Sequence, residues 1–455
     1  MRPYHVAIVG SGPSGFFAAT SLLNAADTSE EIEVAVDMLE MLPTPWGLVR
    51  SGVAPDHPKI KSVSKQFERT AEDPRFRFFG NIRVGEHIQA AELSERYDAV
   101  IYAVGAQSDR SLNIPGEHLP GSIAAVDFVG WYNAHPHYAQ LNPDLSKGRA
   151  IVIGNGNVAL DVARMLVADP DMLAHTDIAD HALQPLRSRG VEEVVVLGRR
   201  GPLQTAFTTL ELRELGDLQG VDVVVDPAQL QGITDEDAAA VGKTAKQNLK
   251  VLRDYAKRAS RPGNRRIILR FLTSPIEILG DGKVERIVLG RNELVSDAGG
   301  RVVAKDTGDR ETLPVQLVVR SVGYRGVPIP GVPFDDKTGT IPSANGRVVG
   351  RRNEYVVGWI KRGPSGVIGT NKKDSQDTVD TLLGDLAVGR ERGLADFPGD
   401  HAAKLADWLV SRQPKLVTAA HWHAIDRFER EAGERQGRPR VKLPTLEELL
   451  RAGHG

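Results

Sequence analysis

Two glycine clusters in this sequence have the spacing of phosphate-binding turns. The first places Gly10, Gly12 and Gly15 in the pattern G-x-G-x-x-G, directly after the apolar run at residues 6–9. In such a turn the first glycine permits a tight bend, the second lets a pyrophosphate approach the backbone, and the third lets the next helix pack closely on the strand. The free N–H groups and the dipole at the start of that helix favour an anion.

The second cluster repeats this arrangement later in the chain. Gly154 and Gly156 follow an apolar strand predicted at residues 150–153, and Ala159 takes the place of the third glycine. The G-x-G-x-x-A variant has the same role with slightly looser packing. A single glycine turn can be purely structural, but here each is preceded by a strand and followed by a helix. The sequence therefore predicts two dinucleotide-binding turns.

The residues that follow the second strand of each unit differ in charge. The strand predicted at residues 32–39 ends at Glu40, which suits ribose hydroxyls, whereas the strand at 194–197 leads into Arg199 and Arg200. An arginine can pair with a 2′-phosphate that an acid would repel. The alternative, that the two arginines are solvated turn charges, fits less well beside a glycine turn. The first site is thus predicted to bind FAD and the second NADP(H).

These elements predict an α/β fold with two nested Rossmann-like domains. The segments at residues 95–117 and 316–331 share a pattern of apolar strand, glycine and proline-containing loop, typical of two passages between domains. We expect an FAD-binding domain at residues 1–106 and 324–455, with a helical C-terminal tail. An NADP(H)-binding domain is expected at residues 107–323, inserted between them.

Smaller patterns predict individual elements within these domains. The stretch from Asp235 to Ser260 predicts one long basic helix, and Asp281-Gly282 predicts a hairpin. A strand is expected to end at Gly358-Trp359, where a glycine-rich loop opens a helix.

The composition excludes several kinds of chemistry. The 455 residues include no cysteine, which excludes a disulfide, a redox C-x-x-C pair and a thiolate-held iron–sulfur cluster. A net charge of -2 gives no reason to expect nucleic-acid binding. The first residues enter a strand at once, and no apolar run approaches the roughly 20 residues that span a bilayer. We therefore expect no signal peptide, no transmembrane segment and a cytoplasmic protein.

Five segments together resemble the adrenodoxin reductase family of NADPH–ferredoxin reductases. They are VAIVGSGPSGFFAA, TPWGLVRSGVAPDHPKIK, VIGNGNVALDVARML, GRRGPLQTAFTTLELREL and GWIKRGPSGVIGTNKKD. The resemblance covers essentially the whole chain, and the long second and fifth segments are far more specific than a glycine turn. It implies an FAD enzyme that oxidises NADPH and passes electrons one at a time to a ferredoxin-like iron–sulfur protein.

The resemblance also implies roles for individual residues. Positions that match FAD contacts are Ser14, Glu40, Leu48, Val84, Trp359, Gly366, Val367 and Ile368. Positions that match NADP(H) contacts are Arg110, Asn155, Gly156, Asn157, Val158, Arg199, Arg200 and Glu211, with Gly366 near both cofactors. His57, Asp161 and Glu211 match a polar network near the nicotinamide and flavin, and they are the candidate catalytic residues. Without the resemblance, His57 would be an ordinary loop histidine and Glu211 a solvated charge.

Other clusters permit alternatives. His421 and His423 flank a tryptophan, but with no cysteine or carboxylate nearby in sequence we expect no metal site. A basic stretch is either a solvated surface or a docking patch for an acidic iron–sulfur protein; it contains Lys250, Arg253, Lys257, Arg258, Arg265 and Arg266. Two other functions remain open, a flavin monooxygenase and a non-catalytic NADP(H)-binding module. A monomer is favoured, while the iron–sulfur partner, the direction of electron flow and the extent of interdomain motion are not specified.

Overall fold

The computed structural model describes residues 3–29, 32–366, 368–391 and 401–455. The helices are α1 (Pro13–Asp27), α2 (Leu48–Ser51), α3 (Pro58–Lys61), α4 (Ser64–Ala71), α5 (Ala90–Arg96), α6 (Ala125–Tyr132), α7 (Asn157–Val167), α8 (Pro170–Leu173), α9 (Asp180–Arg187), α10 (Thr209–Glu214), α11 (Asp235–Val241), α12 (Lys243–Ala256), α13 (Trp359–Arg362), α14 (Ile368–Glu391), α15 (His401–Arg412), α16 (Ala419–Glu434) and α17 (Leu446–His454).

The strands complete the element order. They are β1 (Tyr4–Val9), β2 (Val34–Leu39), β3 (Phe76–Gly80), β4 (Ala99–Tyr102), β5 (Ser108–Asp109), β6 (Ser122–Ala124), β7 (Arg149–Ile153), β8 (Glu193–Leu197), β9 (Val221–Val225), β10 (Arg265–Arg270), β11 (Thr273–Leu279), β12 (Arg286–Ser296), β13 (Val302–Pro314), β14 (Leu317–Arg320), β15 (Tyr324–Arg325), β16 (Ser343–Ala344), β17 (Arg347–Val348), β18 (Glu354–Val356) and β19 (Val417–Thr418).

The chain divides into two compact units. The first comprises Met1–Ser108, Asn133–Pro136 and Tyr324–Gly455, and the second comprises Asp109–Tyr132 and His137–Gly323. The short segment Asn133–Pro136 therefore belongs to the first unit although its sequence neighbours belong to the second. Among the helices in the described part of the chain, none is long and apolar enough to cross a membrane.

The first unit is built on a sheet with the order β16-β17-β18-β4-β1-β2-β3-β19. Its central strands β18, β4, β1, β2 and β3 pair in parallel, with Val6 opposite Val36 and Ala99. Every residue of β1 is buried, as expected for a parallel strand covered on both faces. Parallel pairing brings the carboxyl ends of β1 and β2 to one edge, where the first glycine turn and Glu40 follow.

The second unit repeats this plan. Its main sheet has the order β6-β14-β7-β8-β10-β9 and is parallel, with Ile151 of β7 opposite Val195 of β8 and Val318 of β14. A smaller antiparallel sheet, β11-β12-β13, packs in the same core through Ile278, Ile287 and other residues. The predicted α/β class with two Rossmann-like arrangements is confirmed, and so is the hairpin at Asp281-Gly282.

The predicted long helix from Asp235 to Ser260 is wrong. The structure has two helices, α11 and α12, separated at Gly242, whose φ of +144° is outside the helical region. Alanine and valine around Gly242 are compatible with a helix, so apolar spacing alone concealed the break. Helix α12 ends at Ala256, four residues before the predicted end.

Candidate dinucleotide-binding sites

The first glycine turn is closely packed at Gly10 and Gly15 and open at Gly12. A Cβ atom on Gly10 would lie 2.6 Å from the Ala103 carbonyl oxygen, and one on Gly15 would lie 2.2 Å from the Gly10 oxygen. Beyond its chain neighbours, no described atom lies within 4 Å of the place a Cβ on Gly12 would occupy. The turn therefore leaves space at the start of α1, where a pyrophosphate needs it.

The second turn has the same geometry. Gly154 has φ +139°, and a Cβ there would lie 2.0 Å from the Ser321 oxygen, whereas the corresponding space at Gly156 is open among the described atoms. Ala159, at the third small position, is fully buried. Helix α7 begins at Asn157, so both open glycines precede a helix N-terminus. The two units thus present equivalent cradles.

Glu40 is held at the end of β2 by the first turn itself. Its Oε2 accepts hydrogen bonds from the Ser11 N–H at 3.0 Å and the Ser11 hydroxyl at 2.6 Å, and its Oε1 accepts one from the Leu42 N–H at 3.0 Å. Burial raises the pKa of the Glu40 carboxyl, against the opposing effect of these hydrogen bonds. The fixed carboxylate lies beside the open cradle.

The loop before α13 packs on the same turn. Gly358 has φ +75°, and a Cβ there would lie 2.2 Å from the Ser14 hydroxyl oxygen. The ring of Trp359 lies 5.7 Å from that of Tyr324, and its buried Nε1 has no hydrogen-bond partner in the described part of the chain. The contact between Gly358 and Ser14 brings together two predicted FAD positions that are far apart in sequence, Ser14 and Trp359. The Trp359 Nε1–H is left as a donor that a bound group could use.

Asp374 supports this loop, although the sequence did not indicate a role for it. Its Oδ2 accepts a hydrogen bond from the Gly358 N–H at 2.6 Å, and its Oδ1 accepts one from Lys361 Nζ at 2.8 Å. Asp374 is the last residue of the segment GWIKRGPSGVIGTNKKD, and its place in that segment was the only sequence feature that could have indicated its role. The carboxylate fixes the loop to α14.

The remaining predicted residues of the first unit lie in loops or at the starts of helices. Leu48 begins α2, Val84 follows β3, and His57 directly precedes the short helix α3. Gly366 precedes α14, of which Ile368 is the first residue. Val367 lies outside the described residues.

In the second unit, Arg199 and Arg200 directly follow β8 on an anchored backbone. The Arg199 carbonyl accepts a hydrogen bond from the buried Asn292 side chain at 2.9 Å, and the Arg200 carbonyl accepts one from the Leu272 N–H at 3.0 Å. Arg199 is exposed and Arg200 half-buried, and neither guanidinium pairs with a carboxylate among the described residues. Two cations are therefore presented without a protein counter-charge.

The Asn155 side chain lies next to the strand end that carries these arginines. Its Nδ2 is 3.2 Å from where a Cβ on Gly198 would be. The Asn157 side chain has a different partner, since its Oδ1 accepts a hydrogen bond from the Thr208 N–H at 2.8 Å. Val158 is half-buried in the first turn of α7, and Arg110 is exposed. The structure brings Asn155 and Arg199 to one edge, while Asn157 organises the loop before α10.

Asp161 and Glu211 meet around one guanidinium that the sequence did not single out. Arg164 Nη2 donates to Asp161 Oδ1 at 2.7 Å, and Arg164 Nη1 lies 3.6 Å from Glu211 Oε2. Arg164 is 2% exposed and Glu211 7% exposed. The spacing of Asp161 and Arg164 by three residues on a helix was the signal for this pair. Glu211 is a buried ion-pair partner and not a solvated charge.

Comparison with known proteins identifies the family to which this chain belongs. Residues 4–252 match the family described as Pyridine nucleotide-disulphide oxidoreductase. The chain belongs to this family. It is therefore an oxidoreductase, and because it has no cysteine it cannot pass electrons to a disulfide of its own.

Relatives narrow the assignment within this family. The chain is 76% identical to NADPH-ferredoxin reductase FprA of Mycobacterium tuberculosis, over 100% of both chains. It is 39% identical to the mitochondrial NADPH:adrenodoxin oxidoreductase of Arabidopsis thaliana, over 99% of this chain and 95% of that one. The solved structure of Mycobacterium tuberculosis FprA in complex with NADPH matches over 100% of both chains with a TM-score of 0.99. The family resemblance predicted from the five segments is confirmed.

Proposed function

We propose that this chain is an FAD-dependent NADPH–ferredoxin reductase, with FAD in the first unit and NADP(H) in the second. The observation that carries the proposal is the pair of equivalent cradles with opposite charges beside them. Glu40 is buried next to the first cradle, whereas Arg199 and Arg200 follow the strand beside the second. When bound, FAD supplies the capacity to take a hydride from NADPH and to release the two electrons singly.

In the first unit, the chain would hold FAD by its phosphates and its ribose. Pro13, the first residue of α1, has no N–H, so the N–H groups of Ser14 and Gly15 in the first turn of the helix would favour the pyrophosphate. The Glu40 carboxylate accepts hydrogen bonds from ribose hydroxyls and repels a 2′-phosphate, which FAD lacks. The loop fixed by Asp374 presents the Trp359 donor. We assign residues 1–106 and 324–455 to this domain.

In the second unit, the chain would select NADPH by charge. Residues Gly154 to Val158 bind the pyrophosphate at the start of α7, and Arg199 and Arg200 bind the 2′-phosphate. We assign residues 107–323 to this domain, apart from Asn133–Pro136, which belongs to the first unit, and we assign Arg110 to its coenzyme contacts. A hydride transfer needs no general base, so we give Glu211 and Asp161 the role of orienting the nicotinamide through polar contacts. His57 is assigned a role in tuning the flavin environment.

The electron acceptor is proposed to be a small acidic iron–sulfur protein of the ferredoxin type. Of the basic stretch, Lys250, Lys257, Arg258 and Arg266 are exposed. Three cations of the stretch have partners: Arg253 pairs with Asp235, Arg266 with Glu193, and Arg265 donates to the Val191 carbonyl. The docking patch is therefore reduced to Lys250, Lys257 and Arg258, the exposed cations of the stretch that pair with no carboxylate among the described residues. A cytoplasmic monomer remains our expectation, which cell fractionation and light scattering test.

Anaerobic mixing in two steps tests the proposed function. NADPH is first added to the yellow holoprotein, and the flavin absorbance is expected to bleach; an oxidised ferredoxin is then added, and the absorbance is expected to return as ferredoxin becomes reduced. A flavin that NADPH does not reduce would contradict the proposal. Reduced flavin that ferredoxin leaves unchanged, but that oxygen consumes with formation of an oxygenated organic product, would indicate a monooxygenase instead.

A further inference from the structure

Helix α12 has two polar residues on its buried side. Asn248 is 0% exposed and Tyr255 is 2% exposed, whereas Lys246 and Lys250 of the same helix are exposed. A buried amide or hydroxyl costs free energy unless its hydrogen bonds are made. The hydrogen bonds of Asn248 and Tyr255 are made with one short helix, α10, and with the loop before it.

Asn248 holds the start of α10. Its Oδ1 accepts a hydrogen bond from the Thr209 hydroxyl at 2.7 Å, and its Nδ2 donates to the Phe207 carbonyl at 3.1 Å. Thr209 is the first residue of α10, and Phe207 lies in the loop before it. One side chain thus fixes both the loop and the first helical residue.

Tyr255 holds the end of the same helix. Its hydroxyl donates to the Leu212 carbonyl at 2.7 Å and lies 3.2 Å from the Arg213 oxygen. Carbonyls in the last turn of a helix have no N–H partner within that helix. Burial raises the pKa of Tyr255 to about 12, so its hydroxyl keeps the proton that it donates.

α10 depends on these contacts because it is short. It has 6 residues, and an isolated helix of that length does not persist in water. Glu211 lies between the two anchored ends, with its carboxylate beside Arg164. The place of that carboxylate therefore depends on α12.

We propose that Asn248 and Tyr255 are positioning residues that hold α10 and thereby set the Glu211 carboxylate for the nicotinamide. The proposal rests on the proposed function, in which Glu211 orients the coenzyme. Both residues act through α10 and not by contact with the coenzyme.

Hydrogen exchange on the FAD-loaded protein tests the anchoring directly. Asn248→Leu keeps the number and branching of the side-chain heavy atoms but removes the side-chain hydrogen bonds, and Tyr255→Phe removes only the hydroxyl. Each is expected to raise amide exchange in α10 about three- to tenfold, without a rise in β7 or β8. Asp254→Asn, on an exposed residue of the same helix, serves as the matched control and should leave α10 unchanged. Unaltered exchange in α10 for both variants would overturn the anchoring, whatever the enzyme's activity.

A double-mutant cycle tests the action through Glu211. In stopped-flow reduction of the flavin by NADPH, Asn248→Leu and Tyr255→Phe should each lower the rate or the NADPH affinity about three- to tenfold. In a Glu211→Gln background the same changes should have little further effect, because the group that they position is gone. Fully additive effects would refute positioning through Glu211. A wild-type flavin that NADPH does not reduce would instead contradict the proposed function, and the exchange experiment would still decide the anchoring.

Discussion

Replacement of both Arg199 and Arg200 by alanine should convert a strong preference for NADPH into a weak one. A charge-assisted hydrogen bond to phosphate is worth about 1.5–3 kcal/mol. Arg199 is exposed and Arg200 half-buried, so solvent screening reduces each contact to about 1–1.5 kcal/mol. Loss of both should therefore cost about 2–3 kcal/mol, which is a 30- to 150-fold loss of NADPH affinity by the usual conversion.

NADH has no 2′-phosphate, so its affinity should change far less. The assay is stopped-flow reduction of the bound flavin over a range of NADPH and NADH concentrations, which separates coenzyme affinity from the rate of hydride transfer. Arg286→Ala combined with Arg291→Ala, which removes two exposed arginines of β12, controls for the change in net charge. An unchanged NADPH/NADH ratio in the double variant, or an equal loss for both coenzymes, would refute the assignment of the 2′-phosphate to these arginines.

Three further predictions follow from the first unit and the basic stretch. Glu429 is 0% exposed and accepts hydrogen bonds from Arg50 at 2.9 Å and Arg440 at 3.1 Å, so Glu429→Gln should lower the free energy of unfolding by about 3–5 kcal/mol in guanidinium titrations. In the wild type, burial raises the pKa of the Glu429 carboxyl, but the two arginines outweigh that effect and hold the pKa below its ordinary value of 4.5. The ionised carboxylate therefore stabilises the fold above pH 4.5, and this stabilisation is lost as the pH falls through the lowered pKa of the folded protein. A free energy of unfolding that does not depend on pH in this acid range would argue against the ion pairs of Glu429. Gly15→Ala should destabilise the fold because its Cβ would collide with the Gly10 carbonyl oxygen. Gly12→Ala should fold normally, because the space at Gly12 is open, but its apoprotein should bind FAD more weakly in a titration. Equal effects of the two variants on stability would contradict this difference between the two glycines. Combined Lys250→Ala and Lys257→Ala should weaken the dependence of ferredoxin turnover on ionic strength and leave flavin reduction by NADPH unchanged; Arg258 is kept because its guanidinium lies 4.7 Å from the centre of the Tyr255 ring. A wild-type rate that does not vary with salt would exclude this docking patch.

The parts of the fold that sequence could predict are those with local periodicity. The apolar runs before Gly10 and Gly154, and the small residues after them, depend on neighbours within a few positions, and the structure places them as expected. The helix predicted from Asp235 to Ser260 failed because the break depends on the backbone of Gly242, which spacing of apolar residues does not report.

The groups that sequence missed have partners far along the chain. Asn292 binds the Arg199 carbonyl across 93 positions, and Asn248 binds Phe207 across 41. Neither asparagine stands in a recognisable motif, so only the folded chain shows what it supports. The pairing of Arg164 with Asp161 could have been predicted from their spacing on one helix, but the proximity of Arg164 to Glu211 is visible only in the folded chain.

The electron balance of the complete reaction tests whether this chain passes the two electrons of NADPH through FAD to ferredoxin. FAD-loaded protein is mixed without oxygen with a limiting amount of NADPH and an excess of a one-electron ferredoxin, and NADP⁺ and reduced ferredoxin are both measured. We expect two reduced ferredoxins for each NADPH oxidised, with rates that fall when Arg199 and Arg200 are replaced. NADPH oxidation without ferredoxin reduction, or ferredoxin reduction that proceeds equally well after FAD has been removed, would contradict this electron path.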